Sequence, residues 1–136
     1  QLAPEGHVFA VEMDTDDFEL IRQNADRFRL HNVTPVLGRA PEAWEDLPIP
    51  DAIFVGGTGR QAATIVEQAI GRLKSGGRIV VDMASIENLQ AVQAVMRQAT
   101  GDVNILMINV SRGNYQLESL RFDALTPKFV LSAVKP

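Results

Sequence analysis

Short, almost wholly apolar segments alternate along the chain with segments whose apolar residues recur at helical spacing. The apolar segments are residues 8–11, 33–37, 52–55, 79–81, 103–110 and 129–134, and helical spacing marks residues 16–30, 61–74 and 86–100. Strands that are apolar on both faces and separated by helices belong to a mostly parallel sheet with helices on both sides. We therefore predict a single α/β domain, residues 1–136, built on a doubly wound sheet.

The end of the chain departs from this alternation. Residues 111–128 carry no apolar stripe suited to a crossover helix, so we predict a loop there. Parallel neighbours need a crossover, and the strands at 103–110 and 129–134 are therefore expected to run antiparallel. An antiparallel last strand is typical of the class I S-adenosylmethionine (SAM) methyltransferases, and NAD-binding Rossmann domains lack it.

Helix boundaries are indicated by capping residues. The cluster Asp14-Thr15-Asp16-Asp17 predicts an N-cap followed by first-turn acids that complement the helix dipole. Asn32 is the expected stop of that helix, and Ser75-Gly76-Gly77 the expected stop of the next one. Ser85 is the expected N-cap of the helix at 86–100.

Composition excludes several classes of function. The net charge of −4 and pI of about 5.1 argue against a nucleic-acid surface. No apolar run is long enough to span a bilayer, so we expect no membrane partner. The absence of cysteine excludes disulfides and thiolate chemistry and suits the cytoplasm. His7 and His31 are too few and too far apart for an obvious metal site.

Two stretches compete as the cofactor site. Residues Gly57–Ala62 match the dinucleotide fingerprint G-x-G-x-x-A, and Asp82 stands near the expected spacing for the acid that binds the ribose. This interpretation predicts an NAD-dependent oxidoreductase. In the other interpretation Glu12, at the end of the strand 8–11, accepts hydrogen bonds from the ribose hydroxyls. Its glycine-rich partner would then lie one βα unit earlier, before Gln1.

Five segments carry a resemblance to a known family. They read PEGHVFAVEMD, GRAPEAW, DAIFVGGTGR, LKSGGRIVVDMAS and DVNILMINVSRG, in this order. In order and spacing they resemble the CbiT-like precorrin methyltransferases of cobalamin biosynthesis. Members of that family act alone or as the C-terminal half of the bifunctional precorrin-6Y C(5,15)-methyltransferase (decarboxylating). The resemblance covers nearly all of the chain, and its V-G-G-[ST]-G and S-R-G elements are specific to the family.

The resemblance implies that the cofactor is SAM. It also implies that the match of Gly57–Ala62 to the dinucleotide fingerprint is a coincidence. It places the ribose at Glu12 and Met13, the adenine beside Gly38, Arg39, Ala40 and Pro41, and the methionine end beside Val55, Gly56 and Gly57. The family usually has aspartate where this chain has Arg39, and arginine donates hydrogen bonds but cannot accept one from adenine. Arg39 must therefore point away, stack on the adenine or bind a substrate carboxylate.

The implied reaction is methylation of a precorrin ring carbon with loss of carbon dioxide from an acetate side chain. Because the sulfonium is already electrophilic, the protein mainly aligns the reacting atoms, and the sequence identifies no catalytic side chain. The substrate carries many carboxylates, so its site needs cations. We expect it at Thr58, Gly59, Arg60 and Arg112, with Lys128 as a weaker third cation.

The beginning of the chain adds one expectation. Gln1-Leu2-Ala3-Pro4-Glu5-Gly6 reads as the end of a helix, so the first βα unit of the methyltransferase fold is expected to be missing from this chain. Its strand would lie between residues 8–11 and 52–55. We expect these 136 residues, expressed alone, neither to fold to the full sheet nor to bind SAM. Upstream residues, another chain or direct pairing of those two strands would fill the gap. A non-catalytic fragment, a homo-oligomer and a fusion to a second precorrin methyltransferase domain are all compatible with the sequence.

Overall fold

The computed structural model describes residues 5–136, which form two compact units divided between Pro48 and Ile49. The prediction that the chain opens with the end of a helix falls mainly on residues 1–4, outside the described residues. Each unit is built from βα repeats, as the alternation of apolar strands and helices predicts. The two units are described in turn.

The first unit contains a two-stranded parallel sheet. Strand β1 (Val8–Glu12) is followed by helix α1 (Thr15–Arg27), strand β2 (Val33–Leu37) and a 3-10 turn (Glu42–Trp44). The register pairs Val8 with Val33 and Glu12 with Leu37. Both strands therefore end side by side, and the loops that follow them begin at the same edge of the sheet.

Helix α1 begins as predicted and ends earlier than predicted. The Oδ1 atom of Asp14 accepts hydrogen bonds from the backbone N–H groups of Asp16 and Asp17, at 2.9 and 3.1 Å, which confirms the N-cap. The expected stop at Asn32 is wrong, because the helix ends at Arg27 in a Schellman motif: Arg29 N–H donates to the Asp26 carbonyl and Leu30 N–H to the Ala25 carbonyl. The left-handed position is Arg29, with φ of 54°, where glycine is usual, so the stop carries little sequence signal.

The second unit contains a four-stranded mixed sheet in the order β3-β4-β8-β5. Its elements are β3 (Ala52–Val55), α2 (Ala62–Arg72), β4 (Arg78–Met83), α3 (Ile86–Thr100), β5 (Asn104–Ile108), β6 (Ser111–Gln116), β7 (Ser119–Ala124) and β8 (Lys128–Val134). Strand β8 is antiparallel to both of its neighbours, β4 and β5, which confirms the predicted reversal of the last strand. Within this unit β3 pairs in parallel with β4, with Ala52 opposite Arg78 and Val55 opposite Val81.

The core of the second unit lies between the sheet and its helices. Helices α2 and α3 pack on each other, α2 also packs on β4, and α3 packs on β8. The largest fully buried side chains are Ile79, Met96, Leu131, Val66, Val81 and Val92. Burial of an aliphatic side chain of this size contributes about 1.5–3 kcal/mol, so these few positions supply much of the stability of the unit.

Helix α3 begins and ends at the predicted residues, whereas a 3-10 turn precedes α2. The hydroxyl of Ser85 accepts a hydrogen bond from the Asn88 backbone N–H at 3.2 Å, as an N-cap should. The segment predicted to be helical from residue 61 starts as a 3-10 turn, Gly59–Gln61, before the α-helix begins at Ala62. The α-helix ends at Arg72, just before the predicted glycine stop.

The predicted loop at 111–128 is wrong. Most of it is a β-hairpin in which β6 and β7 pair from Ser111 with Ala124 to Gln116 with Ser119. Nearly all its residues are exposed, so there is no alternation of buried and exposed positions to indicate strands. Its two turn residues, Leu117 and Glu118, have φ of 46° and 66°, a conformation that Asn-Gly usually supplies, and so the turn signal is also absent.

Candidate cofactor and substrate sites

Glu12 lies at the carboxyl end of β1 with its side chain held in place. Its Oε1 atom accepts hydrogen bonds from the backbone N–H groups of Met13 and Asp14, at 2.7 and 2.9 Å. Its Oε2 atom has no hydrogen-bond partner among residues 5–136. The half-buried carboxylate is thus oriented by its own backbone and keeps one oxygen available to a hydroxyl group of a ligand.

The loop after β2 approaches Glu12 closely. Gly38 N–H donates to the Glu12 carbonyl at 2.9 Å, and the Arg39 carbonyl accepts from Ala43 N–H at 2.8 Å. A Cβ atom on Gly38 would lie 2.7 Å from the Cβ atom of Ala43, so only glycine is accommodated here. Within the first unit, the structure therefore brings together the predicted residues Glu12, Met13, Gly38, Arg39, Ala40 and Pro41; Met13 and Arg39 are exposed.

The loop after β3 contains the glycine-rich sequence of the second unit. Val55 is buried at the end of the strand, and Gly57 and Gly59 adopt φ of 66° and 56°, which favour glycine. The Gly59 carbonyl accepts a hydrogen bond from the Asn88 side-chain amide at 2.8 Å. This contact ties the loop to the first turn of α3.

A cleft of about 140 Å³ opens at the carboxyl ends of β3 and β4. It is lined by Gly57, Thr58, Gly59, Asp82, Met83, Ala84, Asn88 and Lys128. The Lys128 Nζ atom lies 3.3 Å from Asp82 Oδ2, and both side chains are partly exposed. Thr58 and Gly59 were predicted at the substrate site, whereas Asp82 was assigned to the alternative dinucleotide site and Lys128 was a weaker candidate. The antiparallel direction of β8 was the signal that could have placed Lys128 here, because it brings the first residue of β8 to this edge.

Arg60 and Arg112 lie outside the lining of this cleft. Arg60 is in the 3-10 turn before α2, and Arg112 is in β6, opposite Asp123 in the hairpin register. Both side chains are exposed, and neither guanidinium forms an ion pair within the described part of the chain. They are therefore available to an anionic ligand, but the structure does not gather them with Thr58 and Lys128.

One perturbed acid stands next to this cleft. The Ser85 hydroxyl donates a hydrogen bond to Glu87 Oε2 at 2.6 Å, and this bond lowers the pKa of the Glu87 carboxyl below its ordinary value. Glu87 is exposed and does not line the cleft. Its ionised form adds a negative charge to the first turn of α3, where the helix dipole favours one.

Replacement of Asn88 by alanine should destabilise the second unit. The change leaves the Gly59 carbonyl without its 2.8 Å partner, and an ordinary hydrogen bond of this kind contributes about 0.5–1.5 kcal/mol. Urea unfolding measures the loss. Gln90→Ala, at an exposed position of the same helix, is the matched control and should stay within about 0.5 kcal/mol of wild type. Equal stability of the two variants would mean that the contact does not hold the loop.

Residues 5–136 contain neither a candidate metal-binding group nor a helix suited to crossing a membrane. No group of three or more His, Asp or Glu side chains in this range is arranged to hold a metal ion. None of the helices in this range combines the length and apolar character that a membrane crossing requires.

Comparison with known proteins identifies one family. Residues 1–127 match the family described as precorrin methyltransferase domain. A protein of Sulfurisphaera tokodaii named probable cobalt-precorrin-6B C(15)-methyltransferase (decarboxylating) is 32% identical over 132 residues, which are 96% of this chain and 68% of that protein. A precorrin-6Y C(5,15)-methyltransferase (decarboxylating) of Sinorhizobium sp is 38% identical over 84 residues, 62% of this chain and 20% of the relative.

Solved structures give the same answer for the fold. A precorrin-6Y C5,15-methyltransferase of Geobacter metallireducens matches with a TM-score of 0.86 and 32% identity, over 97% of this chain and 70% of that one. A precorrin 8W decarboxylase of Methanobacterium thermoautotrophicum matches with a TM-score of 0.84 and 29% identity, over 93% and 69%. The predicted class I SAM methyltransferase fold is confirmed.

Proposed function

The chain belongs to the family of precorrin methyltransferase domains, and from this premise we propose that it methylates a ring carbon of a precorrin in cobalamin biosynthesis, using SAM. Loss of carbon dioxide from an acetate side chain accompanies the transfer, as the names of its relatives indicate. The family match over residues 1–127 is the observation that carries the proposal. The chain spans about two thirds of the length of the Sulfurisphaera relative, so the activity of a whole relative comes to it only as part of this proposal.

The residues of the first unit fit the nucleoside part of SAM. Glu12 offers a fixed carboxylate oxygen to the ribose hydroxyls, because Met13 and Asp14 hold its other oxygen. Gly38 keeps the loop after β2 close to Glu12, and the exposed side chains of Met13 and Arg39 stand beside it. We assign Ala40 and Pro41 to the adenine, with Arg39 stacking on the ring or pointing to a substrate carboxylate.

The residues of the second unit fit the methionine end and the substrate. We assign Val55, Gly56 and Gly57 to the methionine end of SAM, where the two glycines, which have no side chain, let the backbone come close to a ligand. SAM supplies an activated methyl group, so the side chains need only bind, orient and exclude water. We assign Thr58, Gly59, Arg60 and Arg112 to the precorrin, whose carboxylates need hydrogen-bond donors.

Replacement of Arg60 or Arg112 by alanine should raise the KM for precorrin and leave the affinity for S-adenosylhomocysteine unchanged. Each guanidinium is exposed and without an ion pair in the described residues, so it is free to bind a carboxylate. A charge-assisted hydrogen bond contributes about 1.5–3 kcal/mol, which corresponds to about 10- to 150-fold in KM. Steady-state kinetics measure the effect, with Arg97→Ala, in the last turn of α3, as the control. If the variants bound S-adenosylhomocysteine more weakly and kept the wild-type KM for precorrin, Arg60 and Arg112 would belong to the cofactor site and not to the substrate site.

Isothermal titration distinguishes the two cofactor interpretations. We expect an intact enzyme that contains this chain together with the first βα unit of the fold to bind S-adenosylhomocysteine and to show no saturable binding of NAD. Tight NAD binding without S-adenosylhomocysteine binding would support the oxidoreductase that uses Gly57–Ala62 and Asp82, and would refute the methyltransferase. Binding of neither compound would favour a non-catalytic fragment.

We expect the enzyme to work in the cytoplasm, where a chain without cysteine loses nothing from the reducing environment. A homo-oligomer stays a prediction. A partnership with a second precorrin methyltransferase domain also stays a prediction. The aligned region makes up only 20% of the Sinorhizobium relative, so that protein is long enough to contain a second domain.

A further inference from the structure

The cleft at the carboxyl ends of β3 and β4 has the size of one arm of a large ligand. Its volume of about 140 Å³ is well below the roughly 300–1,000 Å³ typical of sites that enclose a whole drug-sized molecule. A cleft of this volume suits an acetate or propionate side chain better than a whole tetrapyrrole macrocycle. Its mouth is open, so an arm can enter while the body of the ligand stays outside.

The sheet topology puts a positive charge in this cleft. Lys128 is the first residue of β8, and β8 runs antiparallel to β4, with Phe129 opposite Met83 and Val130 opposite Asp82. The ammonium group is consequently held at the end where β4 finishes. Its one hydrogen-bond partner among residues 5–136 is Asp82, at 3.3 Å, and an ammonium group has three donors. Two of these donors are left for a ligand.

Asp82 positions the Lys128 ammonium group and leaves it able to bind a second carboxylate. The pair is long for an ion pair, and Lys128 is 53% exposed against 31% for the Asp82 side chain. Exposed pairs of this kind contribute little net free energy, so the ammonium group can turn to a second carboxylate at small cost. The Asp82 carboxylate meanwhile keeps it at the cleft.

Thr58 supplies a second hydrogen-bond donor to the lining of the cleft. Thr58 lies at the N-cap position of the 3-10 turn before α2, and its side chain makes no capping hydrogen bond. Its hydroxyl is thus available within the cleft lining. The Asn88 contact to the Gly59 carbonyl fixes the loop that carries it.

We infer that Lys128 and Thr58 bind one carboxylate arm of the substrate in this cleft, with Asp82 as a positioning residue for Lys128. This assignment rests on the proposed function, since it takes a polycarboxylate tetrapyrrole as the ligand. It makes Lys128, which the sequence ranked below Arg60 and Arg112, a specificity-determining cation of the site.

The test is the kinetic effect of Lys128→Met on precorrin turnover, with Lys74→Met as the matched control. Lys74 forms an ion pair with Asp51 at 2.7 Å, at the opposite end of β3 and outside the cleft. We expect Lys128→Met to raise the KM for precorrin about 10- to 100-fold, the effect of losing a hydrogen bond to a charged group. Affinity for S-adenosylhomocysteine should not change, and Lys74→Met should leave both quantities at the wild-type values.

Three further variants separate binding from a structural role. Lys128→Arg should restore most of the KM, because it restores the positive charge. Thr58→Val should raise the KM less than Lys128→Met. Asp82→Asn should also raise it less, because the amide oxygen of asparagine still accepts a hydrogen bond from the Lys128 ammonium group and keeps part of its positioning. The wild-type KM should rise with salt concentration more steeply than that of Lys128→Met, since one charge contact is absent from the variant.

Two results would overturn the inference, and they differ. If wild-type protein methylates precorrin and Lys128→Met has the same KM and salt dependence, the ion pair is only structural and the proposed function stands. If wild-type protein binds S-adenosylhomocysteine but does not turn over precorrin, the proposed function and the inference fail together.

Discussion

In an intact enzyme that includes the first βα unit, replacement of Glu12 by alanine should weaken the binding of S-adenosylhomocysteine by about 1–3 kcal/mol, or about 5- to 150-fold. The Oε2 atom of Glu12 has no partner within residues 5–136, while Oε1 is held by the N–H groups of Met13 and Asp14. A carboxylate fixed in this way can accept from the ribose hydroxyls without first losing side-chain freedom. Isothermal titration measures the affinity of the variant and of wild type.

Two variants control this prediction. Glu12→Gln keeps an oxygen for the Met13 and Asp14 N–H groups but loses the charge, so its affinity should lie between those of wild type and Glu12→Ala. Asp14→Ala removes the N-cap of α1 and should lower stability by about 1 kcal/mol with a much smaller effect on affinity. Wild-type affinity in Glu12→Ala would mean that the ribose binds elsewhere.

Replacement of Leu131 by alanine should lower the free energy of unfolding by about 2–5 kcal/mol. Leu131 is fully buried in β8, where it lies opposite Val81 of β4 and Ile105 of β5. Truncation removes buried surface and leaves a cavity in the middle of the four-stranded sheet. The loss is a large part of the total stability of a typical domain, about 5–15 kcal/mol, so chemical denaturation should detect it readily.

Leu117→Ala is the matched control, because the same side chain is lost from a position that is 99% exposed, at the tip of the hairpin. We expect it to stay within about 0.5 kcal/mol of wild type. A similar loss in both variants would contradict the central position of β8 and, with it, the antiparallel insertion that distinguishes this sheet from a dinucleotide-binding one.

The sequence predicts those parts of the fold that are buried or capped. The apolar runs at β3, β4 and β8, and the caps Asp14 and Ser85, are where the structure places them. The lack of a crossover helix before β8 was enough to predict its direction. Burial and capping leave a direct pattern in the residue types, so these elements need no tertiary information.

The hairpin of β6 and β7 could not be predicted in the same way. Its strands have no buried face, and its turn is Leu117-Glu118 where glycine or asparagine would be expected. The end of α1 was missed for a related reason, because an arginine occupies its left-handed position. In both places the backbone conformation is determined by neighbours that the local sequence does not reveal.

The candidate site was predictable in its strand-end positions and less so in its charges. Glu12 and Gly38 were expected together after two adjacent strands, and a 2.9 Å hydrogen bond joins their backbones. Arg60 and Arg112 were ranked first as cations, whereas the cleft next to Thr58 contains Lys128. The position of Lys128 depends on the sheet order, because β8 inserts between β4 and β5, and spacing along the chain does not specify that order.

The most direct test of the central claim is a single-turnover reaction of the purified intact enzyme, which contains this chain and the first βα unit, with precorrin and SAM that carries a labelled methyl group. Mass spectrometry of the tetrapyrrole and measurement of released carbon dioxide follow both halves of the chemistry. A precorrin methyltransferase of the decarboxylating kind should place one labelled methyl group on a ring carbon and release one carbon dioxide for each molecule converted. A protein that binds both compounds but leaves the tetrapyrrole unlabelled and all its carboxyl groups in place would contradict the account.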